Sequence, residues 1–139
     1  MIPVQHIHPM LVHFPIVFFL SAAVFDIVAT LSGRSVTGRS RAGTVSLALV
    51  LLAAVSAVAT FFFGGMALDF AEAGGFSSEV AEIHEGLGEM TTAVFVMWAV
   101  IRSFTYWRDM RGRGAVRAAA PAFEILGAML VTLTAYYGG

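Results

Sequence analysis

Three of the four histidines, His6, His8 and His13, stand in "QHIHPMLVHFPIVFF" at the head of a long apolar run, and the fourth, His84, stands in "EVAEIHEGLGEM" at the head of another. Neutral imidazole is the commonest protein metal ligand and also binds haem iron. Histidines at the mouths of two apolar segments therefore raise the chemistry of a metal or a haem. Cysteine is absent, which removes disulfides, covalent c-type haem attachment and thiolate-held iron–sulfur clusters. Any redox centre is left with His, Met or carboxylate ligands. Met10, Met66 and Met90 lie near the same level as thioether candidates, although soft gap-filling is the commoner role of methionine.

The elements that must position these histidines follow from composition. Apolar residues make up 58% of the 139, charged residues only 12%, and mean hydropathy is +0.83. Such a chain cannot cover itself with polar surface, so its solvent is lipid. A bilayer core of about 30 Å needs roughly 20 mainly apolar residues per helix, and the sequence offers four runs of that kind, at 9–31, 44–68, 83–104 and 118–137. The expected fold class is all-α, an integral membrane four-helix bundle forming a single domain. It shows neither a linker nor an internal repeat. The first run lacks the charged leading region and small-residue cleavage site of a secretory signal, which makes it a permanent span.

Charge then orients the bundle. All eight basic residues are Arg, and basic residues near span ends stay on the cytoplasmic side. Arg34, Arg39 and Arg41 separate the first two runs, while Arg102, Arg108, Arg111, Arg113 and Arg117 lie at or beyond the end of the third. Asp69, Glu72, Glu79 and Glu82, with no basic residue among them, separate the second from the third. This asymmetry predicts a multi-pass protein of the bacterial inner membrane with both termini and the acidic loop outside. The net charge of -1 offers nothing to nucleic acid.

With that orientation, the first and third spans run inward in parallel. Ser78 suits the N-cap of the third, with Glu79 and Glu82 at the positive end of its dipole. At 1.5 Å per residue, His13 is about 6 Å along from Pro9 and His84 about 7.5 Å along from Glu79. The two imidazoles are expected at one depth. An ionisable residue within a span is costly unless it faces the protein interior or a partner, and a shared ligand would satisfy both. Lone histidines near span ends are also commonly interfacial residues. Pro9 suits a first helical turn, whereas Pro15 pushes against the carbonyl of Leu11 and predicts a kink beside His13. If the helix instead begins at Pro15, His8 and His13 share an irregular segment and the choice of ligand between them stays open.

Glycines near the same end leave helix surface bare for a flat macrocycle. Gly88 lies at i+4 from His84 on its face, Gly86 is close by, and Gly64 and Gly65 close the second span. Close helix packing through small residues is the ordinary use of such positions.

"HPMLVHFPI" heading the first span, "FGGMALDF" closing the second, a histidine early in the third and "AYYGG" closing the fourth resemble a family of small bacterial membrane proteins of four predicted helices, classed as a domain of unknown function. The likeness covers nearly the whole chain, and its HPxxVHFP opening is its most specific part. Within it, His8, Pro9, His13, Pro15 and His84 match characteristic positions. Gly138 and Gly139 match a glycine pair that usually continues into a longer tail. Members of that family occur beside or fused to cytochrome and Rieske-type modules, which implies redox work.

Three functional readings follow. The first is a b-type cytochrome-like subunit binding haem b on the periplasmic side. His13 and His84 are its axial ligands, His8 is in reserve, Gly86 and Gly88 border the ring, and other subunits of a redox membrane complex are its partners. Two imidazoles fill both axial positions, so electron transfer is favoured over catalysis. The absence of Lys and Arg at that end leaves the propionates to water, Gln5, His6 or tyrosines. The second reading is a zinc, copper or iron site of His8, His13 and His84 with Glu85 or Glu89, although neighbouring His84 and Glu85 point about 100° apart on a helix. The third is a structural or assembly subunit in contact only with lipid and protein. Quinone binding near the same histidines has no independent feature behind it.

The inner half carries its own expectation. Asp26 lies about 26 Å from Pro9 and Arg102 about 27 Å from His84 along their helices, and Glu124 follows six residues after Ala118. Isolated charges are expensive in lipid, so Arg102 is expected to pair with Glu124 or Asp26.

Overall fold

A computed structural model describes residues 4–138. Helix α1 (Val4–Leu11) leads through Val12 into α2 (His13–Leu31), followed by α3 (Arg41–Ala73), α4 (Glu79–Trp107), a 3-10 turn (Gly114–Ala118) and α5 (Ala119–Gly138). Four helical segments are long and apolar enough to cross a membrane, as the hydropathy requires. Each reaches beyond its expected span. α3 is the extreme case, since 33 residues measure about 50 Å and overrun a core of about 30 Å. The excess carries Asp69 and Glu72 out among the polar loops.

Capping sets the helix starts. Ser40 Oγ accepts the Gly43 amide at 2.9 Å and Ser78 Oγ accepts the Ala81 amide at 3.4 Å; Ser78 is thus the N-cap that the sequence suggests. The first span starts earlier than expected, at Val4, with Pro9 inside α1. The helix is interrupted at Val12, yet the Val12 amide still reaches the His8 carbonyl at 3.1 Å. Val12 itself keeps helical dihedrals, so the break is confined to the turn that Pro15 disturbs, and His8 sits in a helical turn.

Packing inverts the soluble pattern. The core is built from small residues, among them Ala22, Ala53 and Ala57, around Phe19 and Phe95. Large side chains point outward instead: Val24, Val55, Val100, Leu126 and Met129 are 62–68% exposed. Lipid supplies no hydrophobic drive between helices, so close approach through small residues holds the bundle together. Helices α2, α3, α4 and α5 form a square in which each packs on the next and α5 packs back on α2. The diagonal pair α2 and α4 meet at the centre, where Phe19 and Phe95 stack with ring centres 3.8 Å apart.

This square is two copies of one hairpin. Buried positions of α2 at Pro15, Phe19, Ala22, Ala23 and Asp26 recur 76 residues later in α4 as Thr91, Phe95, Trp98, Ala99 and Arg102. Those of α3 at Ser46, Val50, Ala53, Ala57 and Thr60 recur 74 residues later at five buried positions of α5, Ala120, Glu124, Gly127, Val131 and Thr134. A pseudo-twofold axis therefore runs along the bundle, the arrangement of a parallel repeat about the membrane normal. The sequence reading found no repeat, because seven of these ten pairs share burial without sharing residue type; only Phe19 and Phe95, Ala23 and Ala99, and Thr60 and Thr134 are identical.

Arg102 occupies the axis at the end opposite the histidines. It is 2% exposed, and its Nη1 donates to Asp26 Oδ2 at 2.8 Å and to Glu124 Oε1 at 2.7 Å. Nη2 donates to the Val36 carbonyl at 2.7 Å and to Ser46 Oγ. Ser46 in turn donates to Asp26 Oδ2 at 2.7 Å, and Trp98 Nε1 donates to Glu124 Oε1 at 3.1 Å. The expected pairing of Arg102 is present with both carboxylates at once. Nearby, the Arg39 amide meets Asp109 Oδ1 at 2.6 Å and Arg39 Nη2 meets the Trp107 carbonyl at 2.6 Å, which ties the α2–α3 loop to the end of α4.

Candidate functional site

The repeat brings one histidine from each half to the axis. His8 Nδ1 lies 3.0 Å from the Thr60 carbonyl on α3, and His84 Nδ1 lies 3.0 Å from the Thr134 carbonyl on α5. A carbonyl oxygen can only accept, so each Nδ1 carries the proton. In the neutral ring Nε2 is then left with its lone pair. Each imidazole also rests on a glycine one turn past its carbonyl partner. A Cβ added at Gly64 would stand 2.8 Å from His8 Nδ1, and one at Gly138 would stand 2.8 Å from His84 Nδ1. His8 and His84, Thr60 and Thr134, and Gly64 and Gly138 follow the same 76- and 74-residue spacing as the buried core. The two rings face each other at 6.1 Å between centres, with planes at 77°.

Around them lies a cavity of about 620 Å³, within the range of cofactor pockets. His8, His84, Gly65, Gly88, Thr60 and Val131 are among its walls. Space is open above Gly65 and Gly88, where an added Cβ would meet nothing. Symmetry fails at one polar atom. Thr91 and Thr134 join their hydroxyls at 2.7 Å, but Pro15 occupies the place that Thr91 holds in the other half. Thr60 Oγ1 is consequently buried without a partner, on the cavity wall.

The sequence-predicted residues divide accordingly. The partner brought to His84 is His8, whereas His13 is exposed and lines the cavity without sharing the paired geometry. The helix that carries the paired residue starts before Pro9, at Val4, and His8 is the residue equivalent to His84. Gly88 and Glu85 reach the cavity; Gly86 and Glu89 are exposed and do not line it. His6 is exposed too. Among the described residues, no three His, Asp or Glu side chains gather as a metal-holding group. Gly139 and the side chain of Gln5 lie outside the described residues. Sequence reasoning missed the Thr60 and Thr134 carbonyls and the seating of His84 on Gly138. The repeated pattern of histidine, threonine and, four residues on, glycine was the signal that held them.

Fold and site together define a four-helix membrane protein with one oriented histidine from each half of an internal repeat. The chain belongs to the family described as Predicted membrane protein (DUF2231), which matches residues 5–139. Neither the curated proteins nor the solved structures contain a match to it.

Proposed function

We propose that this protein is a haem-binding, b-type cytochrome-like membrane subunit for electron transfer, with His8 and His84 as the axial ligands. The observation that carries the reading is the equivalent, pre-oriented imidazole pair. Two imidazoles ligating one metal from opposite sides, each nitrogen about 2 Å away and each ring centre roughly 1 Å further, stand about 6 Å apart. The separation of the His8 and His84 ring centres is 6.1 Å. Anchoring Nδ1–H on a carbonyl is how ligating histidines are held in one tautomer and orientation. The apolar cavity and the bare surface at Gly65 and Gly88 accommodate a flat ring, and the unpartnered Thr60 hydroxyl offers a hydrogen bond to a polar edge.

Haem would supply a one-electron couple with both axial positions filled. The chain's own part is to hold both imidazoles, exclude water with the Phe19–Phe95 layer beneath, and keep the site at the bundle end. The arginine asymmetry supports a position of that end outside the inner membrane, where periplasmic redox partners or further subunits of a respiratory-type complex would reach it. A second reading, one zinc, copper or iron ion between the same two imidazoles, is favoured by the same separation.

Purification from membranes, followed by oxidised and reduced visible spectra with total metal analysis, separates the readings. Low-spin haem bands that vanish in both His8→Ala and His84→Ala are expected. Stoichiometric non-haem metal would select the second reading, and neither signal would leave a structural subunit.

A further inference from the structure

The buried charges at the other end of the axis do not balance. Asp26 and Glu124 are 0% exposed and Arg102 is 2% exposed; two carboxylates face one guanidinium. Among the described residues, no other cation donates to either carboxyl. The remaining donors on them, Ser46 Oγ and Trp98 Nε1, are neutral, and Nη2 of Arg102 is committed to the Val36 carbonyl and Ser46. A net negative charge left in a bundle surrounded by hydrocarbon is costly, and a buried acid relieves that cost by taking up a proton.

Hydrogen-bond accounting leads to the same conclusion independently. Oδ2 of Asp26 and Oε1 of Glu124 each accept two bonds, yet Asp26 Oδ1 and Glu124 Oε2 are both buried with no partner. Both carboxyls bond to the same Nη1 atom, at 2.8 and 2.7 Å, so they are immediate neighbours. Their donor sets match: one arginine N–H and one neutral donor each.

We infer that Asp26 and Glu124 form a buried proton-binding site, one proton held between them and one negative charge left to neutralise Arg102. The proton comes from water as the bundle assembles, and the cluster is electrically neutral in the folded protein. Asp26, Glu124 and Arg102 are the charged groups that face one another here, contributed by α2, α5 and α4; α3 and the α2–α3 loop contribute only Ser46 and the Val36 carbonyl. The site is independent of the histidine cavity and of what that cavity holds.

Infrared spectroscopy of the purified protein in deuterated buffer at neutral pH tests this. A carboxylic acid C=O stretch is expected in the wild type, since exposed Asp and Glu side chains are ionised there. The band should disappear in Glu124→Gln and equally in Asp26→Asn, because either substitution leaves one carboxylate that stays ionised against Arg102. Both single variants should remain folded, with melting temperatures close to the wild type. The double variant Asp26→Asn/Glu124→Gln strands Arg102 and should melt far lower. Absence of the band from the wild type overturns the proposal. So does a band that survives both substitutions, or one lost in only a single variant, since a shared proton needs both carboxyls.

Discussion

Each histidine of the pair is positioned by two contacts: the carbonyl that fixes its tautomer and the glycine that leaves room for its ring. Cofactor retention should therefore depend on His8 and His84, and His6→Ala and His13→Ala should both retain it. Spectra of the four purified variants decide; dependence on His13 with His8 dispensable would move the first-span ligand one and a half turns along the chain. Gly138→Ala probes the seat. Its Cβ would fall 2.8 Å from Nδ1 of His84, closer than packed atoms stand, so the ring must leave its carbonyl. Loss of an orienting contact of this kind typically costs 10–100-fold in affinity, and titration of the apo-protein with haemin should show a loss of about that size. Gly86→Ala is the control, since a Cβ there meets open space.

At the scale of elements, the helices are joined by a few dense contacts on the axis. Removing one partner of a buried ion pair costs about 3–5 kcal/mol, so Arg102→Leu should lower thermal stability strongly, and adding Glu124→Leu should recover part of it. A double variant no better than the sum of the single changes would remove the coupling. Gly127 lets α5 approach Phe19, with an added Cβ only 2.5 Å from the ring. Gly127→Ala should cost about 1–3 kcal/mol by overpacking, read as a lower melting temperature. The connecting loops carry a pH effect. The Arg39 amide, and next the Arg111 side chain, hold the Asp109 carboxyl below the usual carboxylate range. A lowered value means that the stabilisation is present above the ordinary carboxylate pKa and is lost as pH falls through the folded value. Proteolysis between Trp107 and Gly114 should accelerate on acidification, and Asp109→Asn should show the faster rate at neutral pH.

Spans, caps and the Arg102 pairing were legible in the sequence because each follows from a cost that any arrangement must meet: hydropathy, open amides and charge in lipid. The histidine partner was not legible, because it depends on which face of α1 turns toward α3 and on a helix start that Pro9 seemed to set. The repeat was hidden for a related reason. Pro15 corresponds to Thr91, Ala22 to Trp98 and Val50 to Glu124, pairs alike in burial and unlike in chemistry.

At the scale of the whole molecule, Val4, Gly138 and the acidic loop lie at the histidine end; the arginine distribution predicts that this end faces outside, so reporter fusions at Gly38 and Gly114 should read as cytoplasmic. The twofold arrangement makes a stronger prediction. Hairpins related by an axis could pair with copies of themselves, but Asp26 and Arg102 occupy equivalent places on that axis. Two first hairpins would bury Asp26 against Asp26, and two second hairpins would bury Arg102 against Arg102. Like charges in a dry interior repel by several kcal/mol, while the mixed pair gains the Arg102–Asp26 bond at 2.8 Å; the bond to Glu124 lies within the second hairpin and favours neither partner. Chains divided at Gly75, in the loop between α3 and α4, should therefore co-purify from one membrane as a one-to-one complex. Arg102→Asp in the second half should abolish that pairing, and adding Asp26→Arg in the first should restore part of it. Recovery of a tagged half with an untagged copy of itself, as readily as with the other half, would show that the charge pair does not select the partner.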